Sequence, residues 1–109
     1  MAGTPEGRIK RRVSQILKRA DSCYYFMPVQ TGYGAPTLDY LGSSRGRAFA
    51  IETKAPGKVP TMRQEAIIQE MERAKMRVFV IDGNPNDYEA LRLWLYGATQ
   101  MLRDAAEKA

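Results

Sequence analysis

The stretch from Arg47 to Asp82 constrains the fold more than any other part of the chain. Residues 47–54 read as a strand, with Phe49 and Ile51 on one side and Ala48, Ala50 and Glu52 on the other. Ala55-Pro56-Gly57-Lys58-Val59-Pro60 then breaks the chain. Thr61 is placed to cap a helix running to about Lys75, with Met62, Ala66, Ile67, Met71 and Ala74 expected inside. Residues 77–82 form another hydrophobic strand carrying Val78, Phe79, Val80 and Ile81. A strand, a helix and a strand in that order make a right-handed crossover with parallel pairing.

The flanking segments extend this unit. Thr4-Pro5-Glu6 has an N-cap residue, a proline suited to the first helical position and an acid suited to the helix dipole. Ile9, Val13, Ile16, Leu17 and Ala20 follow at helical spacing, with Arg8, Arg11, Arg12, Lys18 and Arg19 mostly on the other face. Residues 23–27 are aromatic-rich and read as a strand, which Pro28 ends or confines to a sheet edge. A glycine-containing loop leads to a short strand over residues 37–41. Residues 42–46 read as a turn joining it to the strand at 47–54 as a hairpin. After Asn84-Pro85-Asn86 a final helix is expected over 88–96, with Leu91, Trp94 and Leu95 on one side. The tail beyond Gly97 is expected to fray. The predicted order is α-β-β-β-α-β-α, a mixed sheet flanked by helices. Length fits a single domain over residues 1–109, with a core at about 4–82 and a C-terminal helix and tail at about 86–109.

Composition narrows the chemistry. The chain has no histidine and one cysteine, Cys23. A Ser-His-Asp relay, a Cys-His relay, a histidine general base and an internal disulfide are therefore excluded. Zinc sites are built mainly from the same two residue types. Seventeen Lys+Arg stand against 12 Asp+Glu, a net charge of +5, which favours a polyanionic partner such as nucleic acid. No apolar run is long enough to span a bilayer, so no membrane partner is expected. Residues 1–10 carry no apolar stretch behind their charges, so a secretory signal is not expected and a cytoplasmic location is.

Four charged residues converge on this frame. Glu52 and Lys54 are two apart on one strand and project to the same face. Asp39 is expected within the preceding strand. Glu6 lies three and seven residues before Ile9 and Val13, on the inward stripe of the first helix. If that helix packs on the Glu52 face, where Ala48 and Ala50 leave room, Glu6 reaches the same spot. Clustered carboxylates repel one another unless a cation joins them. Oxygen-only ligands suit Mg²⁺ or Mn²⁺, which can polarise a phosphodiester, and a nearby lysine can orient the attacking water. The alternative is a surface ion pair between Lys54 and Asp39 or Glu52, with Glu6 serving only the helix dipole. Around this spot Arg8, Arg11, Arg45, Arg47 and Lys58 are candidate phosphate contacts, and Tyr33 a candidate stacking ring.

Three segments carry a family resemblance. They are Gly34-Ala35-Pro36-Thr37-Leu38-Asp39, Gly46-Arg47-Ala48-Phe49-Ala50-Ile51-Glu52-Thr53-Lys54-Ala55-Pro56-Gly57, and Pro60-Thr61-Met62-Arg63-Gln64. Together they resemble the VRR-NUC family of the PD-(D/E)XK nuclease superfamily, whose small stand-alone members are common in bacteriophages. The resemblance covers roughly residues 4–82. It implies a restriction-endonuclease-like αβββαβ core and a metal-dependent DNA endonuclease. It implies that Asp39 and Glu52 bind Mg²⁺ or Mn²⁺, that Lys54 is the catalytic lysine, and that Glu6 is a ligand or water-positioning residue. It further implies an active-site contact from Gln64 and an extra ligand in the Thr53 carbonyl. Two departures stand out: Pro36 is separated from Asp39 by Thr37 and Leu38, and Lys75-Met76 replaces a glycine common before the last core strand. Single-domain viral members resemble homodimeric nucleases acting on branched DNA such as four-way junctions, in a phage's case within the host cytoplasm. Leu93 and Tyr96, off the inward stripe of the last helix, are candidates for a dimer contact. The competing functions are a non-catalytic DNA-binding module that keeps the nuclease fold, and an accessory or packaging protein whose basic face binds nucleic acid.

Overall fold

The computed structural model describes residues 3–29 and 36–108. Helix α1 spans Pro5–Arg19 and starts as its sequence requires: Thr4 Oγ1 accepts the Gly7 N–H at 3.0 Å, with Pro5 in the first turn. Strands β1 (Cys23–Phe26), β2 (Tyr40–Ser44) and β3 (Arg47–Thr53) follow, then α2 (Met62–Arg73), β4 (Arg77–Ile81) and α3 (Pro85–Lys108). One four-stranded sheet runs β1-β2-β3-β4. Its first two pairings are antiparallel and β3–β4 is parallel, the crossover expected from the strand–helix–strand run. The architecture is therefore α/β, an αβββαβ core with a C-terminal helix.

Burial divides the sheet into two faces. Tyr40, Phe49, Ile51, Phe79 and Ile81 pack against Ile9, Val13, Ile16 and Leu17 of α1 and Leu91, Leu95 and Tyr96 of α3. Leu38, Ala50 and Ile68 form a second, smaller core, with Leu41, Ile67, Met71, Val78 and Val80 against it. So α1 covers the Phe49–Ile51 face and the condition of its packing on the Glu52 face is not met; α2 covers the Glu52 side. The apolar stripe of α1 is the wider one and needs the larger side chains that Phe49 and Ile51 offer. The inward face of α2 also differs. Met62 is exposed, as are Ala66 and Ala74, while Ile68 is buried and Ile67 and Met71 are half-buried.

Two further boundaries differ from the reading. The hairpin turn contracts to Arg45 and Gly46, whose φ angles of 51° and 78° suit a two-residue turn that matches strand twist. Strand β2 therefore reaches Ser44, and Gly42 lies inside it, opposite Phe49. Asp39 then falls immediately before β2 and not within it. The C-terminal segment does not fray: α3 continues past a kink at Gly97 (φ 70°, ψ 175°) to Lys108. Gln100 anchors it, donating to the Arg19 carbonyl at 2.7 Å and accepting the Asp21 N–H at 3.0 Å. Tyr96, a candidate dimer contact, is a core residue whose hydroxyl donates to the Ile16 carbonyl at 2.8 Å, whereas Leu93 is exposed. No helix of the described residues is long and apolar enough to cross a membrane.

Candidate active site

At one end of the sheet β2 begins, β3 ends, and helices from both layers meet. Asp39 and Glu52 arrive there on adjacent strands, in register one step beyond the Tyr40–Ile51 pair. Thr53 fixes Asp39: its N–H and its Oγ1 both donate to Asp39 Oδ2, at 2.9 and 2.8 Å. Both bonds use the same oxygen, which leaves Oδ1 outside this pair.

Gln64, from the first turn of α2, organises the other side. Its Oε1 accepts from Lys54 Nζ at 3.1 Å and from the Thr61 N–H at 2.9 Å, and its Nε2 donates to Glu52 Oε2 at 2.6 Å. An ammonium and an amide N–H only donate and a carboxylate only accepts, so this amide has one consistent orientation. The same side chain completes the capping box of α2 with Thr61. Helix start and site geometry are thus one set of bonds, and Lys54 is tied to Glu52 through Gln64.

Glu52 is only 4% exposed. Burial, and then the negative charge of Asp39, push its pKa up to about 7; Lys54, the Asp39 backbone N–H and Lys10 offset this in part. A buried carboxylate beside a half-buried one, with incomplete positive compensation, is a place where a further cation is stabilised.

Lys10 is the site residue that the sequence reading missed. Its Nζ lies 2.9 Å from Glu6 Oε2 and 3.7 Å from Asp39 Oδ2. Burial alone lowers an ammonium's pKa, but the Glu6 hydrogen bond and the charges of Asp39, Glu6 and Glu52 outweigh it and hold Lys10 above its ordinary value. The available signal was the four-residue spacing from Glu6, which puts the two side chains together on one helix face. Glu6 itself sits half-buried at the rim, joined to the site through Lys10.

The structure gathers Asp39, Glu52, Thr53, Lys54, Gln64, Lys10 and Glu6 at this end. Arg8 and Arg11 are exposed on the first turns of α1, and Lys58 is exposed on the loop after β3. Arg45 and Arg47 are not brought to the site. They lie at the hairpin end, about 17 Å away at some 3.3 Å per strand residue. Both donate to the Trp94 carbonyl at 2.9 Å, Arg45 also to Leu95, and Arg47 stacks 4.1 Å from the Trp94 ring centroid. The kink at Gly97 frees these carbonyls and the arginines cap them. Tyr33 lies outside the described residues.

No group of three or more acidic or thiol side chains is arranged to hold a metal ion among the described residues. Two carboxylates are what a Mg²⁺ or Mn²⁺ site needs when water and substrate oxygens complete the shell. Asp39 and Glu52, brought together at adjacent strand ends, supply two such carboxylates; Glu6 is engaged by Lys10 instead. Comparisons with protein-family models, curated proteins and solved structures found no match.

Proposed function

We propose that this chain is a Mg²⁺- or Mn²⁺-dependent DNA endonuclease of the VRR-NUC type. The observation that carries the reading is the Asp39–Glu52 pair at one sheet end, with Lys54 linked to Glu52 through Gln64. The resemblance of residues 34–39 and 46–57 to that family supports it, as does the net charge of +5.

When bound by Asp39, Glu52 and the Thr53 carbonyl, the ion supplies Lewis-acid stabilisation of charge on the phosphoryl oxygens. The protein's own groups do the rest. Gln64 holds the Lys54 ammonium beside the carboxylates, where it orients the attacking water and offsets developing negative charge. Thr53 keeps Asp39 in place with two hydrogen bonds. Arg8 and Arg11 on α1 and Lys58 on the loop after β3, all exposed, are the candidate phosphate contacts, which would position the strand without reading its sequence. Branched DNA as substrate, a homodimer that cuts two strands, and a cytoplasmic location belong to the same proposal.

One observation favours a second reading. Lys10 already pairs with Glu6 and Asp39, as in a purely structural ion-pair network of a DNA-binding accessory protein. A cleavage assay separates the two. Wild type and Lys54→Ala are incubated with a four-way junction and a linear duplex in Mg²⁺, Mn²⁺ or EDTA. The nuclease reading expects metal-dependent products from the wild type that Lys54→Ala does not form. Tight binding with no product in any metal supports the accessory protein.

A further inference from the structure

Lys10 Nζ lies 3.7 Å from Asp39 Oδ2, one of the two carboxylates proposed to hold the metal ion. An exposed pair four residues apart on a helix is worth little and is indifferent to its surroundings. This lysine is different in three respects. Its side chain is only 32% exposed. It reaches the Asp39 carboxylate, just ahead of β2, at 3.7 Å. Its backbone is also pinned to that element: the fully buried Tyr40 donates its hydroxyl to the Lys10 carbonyl at 2.9 Å, and the same hydroxyl lies 2.9 Å from Ser14 Oγ. Tyr40 follows Asp39 directly in the chain. One two-residue stretch therefore sets both the carboxylate and the helix turn that delivers the ammonium to it.

An ammonium and a divalent ion repel when they share a carboxylate. From this geometry we infer that Lys10 is the resting counter-ion of the Asp39–Glu52 pair, and that a divalent ion enters in exchange for it. Glu6 is then the acceptor that keeps Lys10 when it leaves Asp39, and not a metal ligand. Lys10 sets the metal concentration at which the site fills, so the nuclease is held off at low metal. This inference rests on the metal-dependent reading above.

The test uses Mn²⁺ alone as the probe, titrated calorimetrically at fixed pH into the full chain. Three proteins are compared: wild type, Lys10→Met, and Lys10→Gln, whose neutral amide can still bond Glu6. Both variants are expected to bind Mn²⁺ about tenfold more tightly. Addition of Mn²⁺ should also raise their melting temperatures more than it raises the wild type's. Should Lys10→Met fold only when Mn²⁺ is added, that too supports the exchange, and Lys10→Gln supplies the affinity. Equal or weaker binding in the variants than in the wild type overturns the role of Lys10 and leaves the metal site standing. No Mn²⁺ binding by any of the three overturns the metal site and the exchange together. A final comparison addresses Glu6: in the Lys10→Gln background, Glu6→Gln should leave Mn²⁺ affinity within about twofold, whereas a tenfold loss would make Glu6 a ligand.

Discussion

At the hairpin end of the sheet, Arg45 and Arg47 place their guanidinium groups on the carbonyls of Trp94 and Leu95; at the other end, Asp39 and Glu52 stand side by side with only partial compensation. In sequence both ends look alike, as charged residues near a strand terminus. The difference lies in what the neighbouring backbone requires. Gly97 breaks α3 and exposes carbonyls, so the hairpin arginines complete a structural cap. Among the described residues, no broken helix lies at the carboxylate end. Its charges are held instead by side chains from three elements: Lys10 on α1, Lys54 at the end of β3 and Gln64 on α2. The hairpin arginines are spent on the carbonyls of one interrupted helix, whereas the carboxylates are tied to side chains of α1 and α2 as well as to the Thr53 N–H.

The sharpest way to separate the two ends is to remove one charge from the site. Lys54→Ala should cut metal-dependent cleavage by roughly 10²–10³-fold in a single-turnover assay, the usual scale for losing one preorganised stabilising group. Its melting temperature should stay within about 2 °C of the wild type's, because among the described residues the ammonium hydrogen-bonds only Gln64.

The second effect is on pH dependence. Burial and the Asp39 charge raise the Glu52 pKa from 4.5 to about 7. Between those values the folded chain binds more protons than the unfolded chain, so metal-free stability attributable to Glu52 falls as pH rises from about 4.5 to 7. The change is at most about 3 kcal/mol. Urea melts in EDTA across this range should show the fall in wild type and lose it in Glu52→Gln. An unchanged slope in the variant would mean that Glu52 is not the buried acid described here.

A third substitution strikes the strand connecting the two ends. A Cβ on Gly42 would lie 2.4 Å from the Tyr24 carbonyl oxygen and 2.6 Å from the Phe49 ring. A backbone carbonyl cannot rotate away, so Gly42→Ala should destabilise the fold by about 2 kcal/mol, read by chemical denaturation. The smallest expected effect is at the hairpin. Arg45→Ala removes two caps on α3 and should cost about 1 kcal/mol. Cleavage should be unaltered; a large loss of activity would place the hairpin in the DNA path after all.

Much of the architecture is legible in the chain because its signals are local. Thr4 and Thr61 cap the helices they precede, and the breaker at 55–60 separates β3 from its crossover helix. The errors arise where a tertiary partner decides. Arg45-Gly46 makes a tighter turn than the stretch of small residues at 42–46 implies, so β2 is shifted and Asp39 stands just ahead of it. The end of α3 looks unanchored until Gln100 meets Arg19 and Asp21, which are some eighty residues away. Within the site, Glu52, Lys54 and Asp39 are readable as a pattern of spacing. The side of the sheet on which α1 packs is not, since Ala48 and Ala50 offer space that α2 takes instead. Lys10 is hidden in the sequence for a related reason: its spacing from Glu6 is visible, but its contact with Asp39 depends on Tyr40 holding α1 against β2.

The most direct test of the site is its occupancy by metal. Crystals of the wild-type chain soaked in Mn²⁺ should show an anomalous peak at roughly 2 Å from a carboxylate oxygen of both Asp39 and Glu52. In that state the Lys10 ammonium should remain with Glu6 and be withdrawn from Asp39. Absence of a peak there at saturating Mn²⁺, with Lys10 still against Asp39, would contradict the assignment of this sheet end as a metal-dependent phosphodiesterase site.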